Sequence, residues 1–398
     1  MSEPDLSVIV VHHRGLGHLL EALEGIEAGR TGLSSETLLV DNTGGGDLSE
    51  ALRQHPDVRR VAAPGNVGFA AGCRLGAENA RSPILALVND DAVVQPEALE
   101  RLAAALDRAP PDVVAVAGRL TDLRGIRNDF SDGFLTFDGH AFAADAGRPL
   151  ARLPEALPGS ERLFPCGGLM AVRREDFLSS GGFDDDYFAY LEDVDFGWRQ
   201  WIFGRRIVAE PRAVARHRGG ATGAALGVFA RGFLYERNAF ATAFKNFDRE
   251  HFEALMPAVL AAFLGRVAEM IATRNGGAQG LLLDPYAPPP RGRAFLRALF
   301  GISDQAASAL RIDDPLTAAQ LRALLWIHAH REGLAAKRRA VQKRRRRTDA
   351  DIFARFPLRI VPTYPGDAQF DSDFFREFLV RAPALVRTSL SEIFEAGA

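Results

Sequence analysis

Cysteine is almost missing from this chain of 398 residues, which carries only Cys73 and Cys166. Two thiols cannot staple a disulfide framework, so the fold must rest on a hydrophobic core, and the pair suits a reducing compartment. An excess of one charge is also missing. The 48 Lys and Arg nearly balance 51 Asp and Glu, for a formal net charge of −3. That balance argues against polyanion binding by the whole chain, and no nucleic-acid module accompanies the basic residues. Long apolar runs are lacking as well. The best stretch, residues 255–264, contains Pro257 and falls short of the roughly 18–20 residues that span a bilayer. Met1-Ser2-Glu3-Pro4-Asp5 has no basic segment ahead of the first apolar run, so no signal peptide is expected. The expectation is a cytoplasmic protein, soluble or peripheral at the inner face of the cytoplasmic membrane.

The rest of the composition is that of an ordinary globular chain, long enough for two domains. Residues 6–11, 37–40, 58–62, 84–88 and 113–118 have the apolar character of buried strands. Between them, 16–26, 47–54, 69–80 and 96–107 have the spacing of helices. This alternation implies an α/β fold with a largely parallel sheet, in which ligands gather beyond the C-terminal strand ends. Asp41, Asn66 and Asp91 stand at such ends. Residues 119–162 lack periodicity and read as irregular loops. Regular signals return at 163–173, at a helix opening near Glu192, and at short closing strands 207–208 and 213–217. Beyond 222 the chain reads as helical, over 225–246, 252–274, 291–310, 316–346 and 371–396. The expected division is a catalytic domain over 1–222 and a helical region over 223–398.

Two acidic clusters stand beside strongly apolar sequence: Asn89-Asp90-Asp91 after Leu87-Val88, and Glu192-Asp193-Val194-Asp195 after Tyr190-Leu191. Burying unpaired charge is costly, so these carboxylates need a reason. A divalent cation explains the first cluster and proton abstraction the second, which points to metal-assisted group transfer from an activated anionic donor. A nicotinamide dehydrogenase would need Gly-x-Gly-x-x-Gly after the first strand, where His12-His13-Arg14-Gly15-Leu16-Gly17 stands instead. A glycoside hydrolase would use paired carboxylates without the metal-type cluster.

The clusters belong to an ordered series. Asp41-Asn42, Asn66-Val67-Gly68-Phe69-Ala70, Asn89-Asp90-Asp91, Cys166-Gly167-Gly168, Gly181-Gly182-Phe183-Asp184, Glu192-Asp193-Val194-Asp195, His217 and Tyr235-Glu236-Arg237-Asn238 follow one another in the chain. Over residues 5–246 this series resembles the family-2 inverting glycosyltransferases. The resemblance implies a GT-A-like mixed, mostly parallel sheet flanked by helices. It also implies transfer of a sugar from a nucleoside diphosphate sugar, UDP- or dTDP-linked, to a glycan or lipid-linked acceptor, in bacterial surface-polysaccharide assembly.

By the same resemblance Asp193 would be the catalytic base with Glu192 beside it. Asp91, Asn89 (in place of a first aspartate) and His217 would hold Mg²⁺ or Mn²⁺. Asp41, Asn66, Gly68, Asp90 and Asp91 would bind the donor, and Gly167, Gly168, Asp184 and Trp198 the acceptor. Plainer readings stand beside several of these. The acids of 192–195 also suit a helix N-terminus, Asp41 an Asx turn, Gly167-Gly168 a tight strand junction, Asp184 a turn cap, and Trp198 the core. His217 reads equally as a structural histidine between Arg216 and Arg218. A non-catalytic scaffold that binds nucleotide or glycan is the rival class; loss of Asp91 or Asp193 would favour it, and both are present. The basic run 337–347 suits either an anionic membrane surface or a solvated helix face, and the long C-terminal helices offer an interface between two copies of the chain.

Overall fold

The structure, a computed structural model, describes residues 3–29, 32–219, 221–274 and 314–393. The first half folds as β1 (Leu6–His12), α1 (Leu16–Gly29), β2 (Ser35–Asp41), α2 (Ser49–Gln54), β3 (Val58–Ala62), α3 (Gly68–Asn79), β4 (Ile84–Asn89), β5 (Ala92–Val94), α4 (Ala98–Asp107) and β6 (Val113–Thr121). Three short strands follow: β7 (Asn128–Phe130), β8 (Gly133–Leu135) and β9 (Ala141–Ala143). Then come β10 (Leu169–Arg173), α5 (Arg174–Ser179), α6 (Glu192–Ile202) and β11 (Arg206–His217).

The main sheet runs β3-β2-β1-β4-β10-β6-β11-β5, with β7 added to β6. Strands β1 to β4 are parallel, whereas β10 lies antiparallel between β4 and β6. Helices cover the sheet, which is why β1 is apolar and buried at almost every position rather than alternating. The chain runs outward from β1 to β2 and β3, then returns to β4 on the other side of β1. That reversal opens a crevice above the ends of β1 and β4, where β4 delivers Asn89-Asp90-Asp91.

After β11 the chain is mostly helical: α7 (Ala221–Asn246), α8 (Arg249–Arg274), α9 (Pro315–Ala329), α10 (Arg331–Arg344) and α11 (Asp349–Phe353). It closes with β12 (Arg359–Ile360), α12 (Asp373–Phe378), β13 (Val386–Arg387) and α13 (Leu390–Ile393). One hydrophobic cluster runs from Leu6 to Phe375, so these helices share the core of the sheet.

Several expectations are corrected by the fold. The two closing strands are one strand, β11, whose register slips between Ala209 and Val214 around Pro211, a residue with no amide to donate. Residues 119–162 hold β7 and the β8–β9 hairpin, strands of three residues that are too short to show an alternating pattern. The expected helix 316–346 breaks at His330, whose ring stacks on Trp326 and bonds its carbonyl at 2.8 Å. The expected helix 371–396 divides around Pro383 into α12, β13 and α13. The expected helix 291–310 lies outside the described residues.

The apolar-run reading also stopped too early at Pro257. Over residues 249–273 α8 is long and apolar enough to cross a bilayer. One face of it packs into the core through Leu255, Val259 and Ala262, and Arg266 within it is buried among carboxylates.

Half of the basic residues of 337–347 turn inward. Helix α7 ends with unsatisfied carbonyls, and α10 satisfies them. Arg338 donates to the carbonyls of Phe244 (2.6 Å) and Phe247 (2.7 Å), Gln342 to that of Lys245 (3.1 Å), and Arg345 to that of Asn246. Arg347 likewise reaches the carbonyls of Gly204 and Arg205 at 3.0 Å, and Lys337 pairs with Asp184 and Asp186. Part of this charge therefore straps α10 to α7 and to the end of α6, while Arg339, Lys343, Arg344 and Arg346 stay exposed.

Candidate active site

A cleft of about 710 Å³ runs from the ends of β1 and β4 to the start of α6. At one corner β5 pairs with the end of β11 and sets Ala92 opposite His217. His217 Nε2 thereby lies 3.1 Å from Asp91 Oδ1 and 3.4 Å from the Asn89 amide, and its Nδ1 lies 2.6 Å from Asp129 Oδ2. Burial opposes the imidazolium, but the hydrogen bonds and charges of Asp129 and Asp91 outweigh it and lift His217 to about 10. Burial likewise opposes the Asp91 carboxylate, yet His217 holds it below the usual range. Asp90 turns away and meets His12 Nδ1 at 2.7 Å. A half-turn of the Asn89 amide would present its carbonyl oxygen to the same point as Asp91. The Asp91 carboxylate, the His217 imidazole and the Asn89 amide oxygen form a donor set that suits Mg²⁺ or Mn²⁺, and Asp129 orients the imidazole from its other nitrogen.

At the other end a loop turns α6 into the cleft. Phe188, Tyr190 and Leu191 take φ values of 63°, 71° and 64°, a left-handed run that is rare without glycine. The Phe188 carbonyl accepts the amides of Phe69 (2.6 Å) and Ala70 (3.2 Å) at the start of α3. Gly68, at φ 84°, permits this approach, because a Cβ there would come 2.5 Å from that oxygen. Gly68→Ala should therefore destabilise the fold by about 2–4 kcal/mol; an unchanged urea midpoint would show that the loop yields freely.

Asp193 Oδ2 accepts the Gly167 amide at 2.9 Å and Oδ1 the Val194 amide at 2.8 Å. Burial still holds its pKa above the ordinary aspartate value. Neighbouring Glu192 is buried, and its Oε2 has no hydrogen-bond partner. Burial first, and the Asp193 charge second, push it well above the glutamate value, so the pair retains a proton that exposed carboxyls would release. Gly167 and Gly168 lie between the two acidic clusters: a Cβ on the first would meet the Phe69 ring at 2.9 Å, and on the second the Asn89 amide at 3.1 Å.

Asp90, Asp91, Asn89, His217, Asn66, Gly68, Gly167, Gly168, Glu192 and Asp193 thus converge on one cleft. Three expected residues do not. Asp41 is buried behind it, accepting the Thr43 amide (3.0 Å) and hydroxyl (2.6 Å) and pairing with Arg60. Its neighbour Asn42 lines the cleft instead and braces the 66–68 loop through Asn66 Oδ1 (3.0 Å) and the Val67 amide (2.7 Å). Asp184 caps a turn and binds Lys245 at 2.6 Å outside the cleft. Trp198 is core: it packs edge-on against Phe247 and donates to Asp349 at 3.3 Å. Five residues past Asp193, it faces about 140° around the helix.

Sequence reasoning missed Asp129, which sits in a three-residue strand with no motif around it. It also missed the aromatic wall of Phe130, Phe142, Phe164, Tyr190 and Tyr235, which comes from separate elements. Away from the cleft, Asp248, His251 and Asp349 bring ligand atoms within 4.8 Å of one another. Asp248 and Asp349 accept each other's backbone amides at 2.9 and 2.6 Å, so they tie the starts of α8 and α11 together.

Residues 7–178 match the family described as glycosyl transferase family 2. Among solved structures, the chain is similar to GalNAc-T7 with UDP, GalNAc and Mn²⁺, at 18% identity and TM-score 0.50, over 64% of this chain and 51% of that one. It thus spans about half the length of that relative. It is also similar to the mannosyltransferase PcManGT of Pyrobaculum calidifontis with GDP-Man and Mn²⁺ (18%, TM-score 0.45, 82% of this chain and 87% of that one). A third similar structure is S. aureus TarS 1–349 (16%, TM-score 0.42, 85% and 90%). No curated protein matches. At these identities the solved structures bear on the fold alone: the chain has the GT-A fold, and residues 7–178 within it carry the match to glycosyl transferase family 2.

Proposed function

We propose that the protein transfers a sugar from a nucleoside diphosphate sugar to an acceptor hydroxyl, with inversion at the anomeric carbon. What carries this reading is the placement of the His217–Asp91–Asn89 corner and Asp193 on one cleft, with Gly167-Gly168 between them. The acceptor oxygen attacks the anomeric carbon as its proton passes to Asp193. The carbon–oxygen bond to the diphosphate breaks, and its electron pair leaves with the diphosphate. A base whose pKa is raised by burial, with both oxygens oriented by backbone amides, suits that proton transfer.

Asp91, His217 and Asn89 are the residues that would hold Mg²⁺ or Mn²⁺, with Asp129 orienting the His217 ring from its other nitrogen. Such an ion would neutralise charge on the leaving diphosphate. The aromatic wall, with Tyr235 fixed through its hydroxyl to the Ala141 carbonyl at 2.5 Å, is the face on which the body of a glycan or lipid-linked acceptor would rest.

Calorimetric titration with UDP, GDP and dTDP, with and without Mn²⁺, tests the donor side. One nucleotide should bind in a metal-dependent way, and Asp91→Ala should weaken it by about tenfold or more. Folded protein that binds none of them in either condition would turn the reading toward a scaffold.

A further inference from the structure

The loop that carries Asp193 is held by its main chain. Of five consecutive carbonyls, that of Phe188 is taken by the start of α3, and the other four by two adjacent side chains of α7. Arg237 donates to the carbonyls of Asp186 (2.6 Å) and Tyr187 (2.8 Å). Asn238 Nδ2 donates to those of Tyr187 (3.0 Å), Ala189 (2.9 Å) and Tyr190 (2.7 Å). Arg237 Nε bonds Asn238 Oδ1 at 2.9 Å and so fixes which end of the amide faces the loop.

Both residues are buried, and no carboxylate pairs with Arg237 among the described residues. Its guanidinium lies 4.6 Å over the Trp326 ring of α9 and 5.1 Å over Phe233. A buried cation and amide directed at backbone oxygens are costly to assemble, and they over-determine a segment whose left-handed residues would otherwise relax. That segment runs without a break into Glu192-Asp193.

We propose that Arg237 and Asn238, backed by Trp326, are positioning residues that set Asp193 against the acceptor hydroxyl, so that the C-terminal helices take part in building the active site. This rests on the assignment of Asp193 as the base. The aspartate of Asn238→Asp keeps the shape but cannot donate to the three carbonyls. Its kcat should fall about 100-fold, because small displacements of a reacting group cost that much, while the donor KM stays within about threefold. Backbone amides of residues 186–195 should exchange faster with deuterium, and those of β1 and β4 at the wild-type rate. Trp326→Leu, which acts from outside the cleft, should move the same two readouts in the same direction and serves if Asn238→Asp fails to fold.

Unchanged kcat and exchange in both variants would overturn the proposal. So would a uniform rise in exchange with kcat falling and the donor KM rising by more than about tenfold, because that is the signature of a general structural role. If the wild-type protein transfers no sugar, the assignment of Asp193 fails on its own, and the exchange readout still tests the clamp.

Discussion

Asp193→Asn should lower the transfer rate by about 10³-fold or more while leaving donor affinity within a few-fold of wild type. The substitution nearly preserves shape, and the asparagine can still accept one of the two amides that hold the carboxylate, from Gly167 or Val194. It removes only the capacity to take a proton. The donor corner is built from β4, β7 and β11 and makes no hydrogen bond to Asp193, so nucleotide binding should survive. Initial rates of nucleotide release beside a donor titration separate the two effects. The wild-type pH profile offers a second check. The base must be ionised, and burial raises its pKa, so activity should fall on acidification at a pH above the ordinary aspartate value of about 3.9. Wild-type turnover by Asp193→Asn would reject the assignment of the base.

Legibility in the sequence followed the range of the interactions. Strands β1, β4 and β6 were readable because burial on both faces leaves a continuous apolar run, and Asp91 and Asp193 because an acid beside such a run is unusual. Asp41 shares that local signature and Asp184 only the family's motif order, yet Arg60 and Lys245 neutralise them from 19 and 61 residues away. A sequence window does not reveal whether a carboxylate meets a cation or a cleft. Asp129 reaches His217 across 88 residues from a strand of three, so the second acid of that corner left no local trace. The inward part of the run 337–347 was illegible for a related reason: carbonyls that take up Arg338 and Arg345 belong to the end of α7, about 90–100 residues earlier in the chain.

The largest loss of stability should come from Arg266→Met. Arg266 lies within α8, bonding Asp138 at 2.7 Å and Asp367 at 2.6 Å, 3.9 Å from Glu236 and 4.9 Å beneath the Tyr364 ring. His140 completes the cluster, 3.2 Å from both Asp138 and Glu236. All five charged groups are buried, and they join the β8–β9 turn, α7, α8 and the segment before α12. Two cations balance Asp138 and Glu236, while burial keeps Asp367 above the ordinary aspartate value. Removing Arg266 leaves buried carboxylates without their counter-ion, which typically costs about 3–5 kcal/mol. Arg249→Met, at an exposed pair on the same helix, should leave the urea midpoint where it was.

The network also gives stability a pH dependence of definite sign. Burial opposes the His140 imidazolium, but Asp138 and Glu236 outweigh it and raise the group to about 9. A raised pKa stabilises fully below the unfolded value of about 6.5 and is lost as pH climbs through the folded one, a change on the order of 3 kcal/mol. Asp138 and Glu236 are lowered against their own burial by His140 and Arg266, so their contribution is lost as pH falls below about 4. Stability should therefore decline from about pH 6.5 toward about pH 9 through His140 and fall again below about pH 4. The raised Asp367 adds a loss that begins above its unfolded value of about 3.9. His217 and His251 are raised as well and tilt the curve the same way. His140→Gln should accordingly flatten the decline in part, and an unchanged slope in urea midpoints from pH 6.5 to 9 would show that the cluster does not hold the imidazolium.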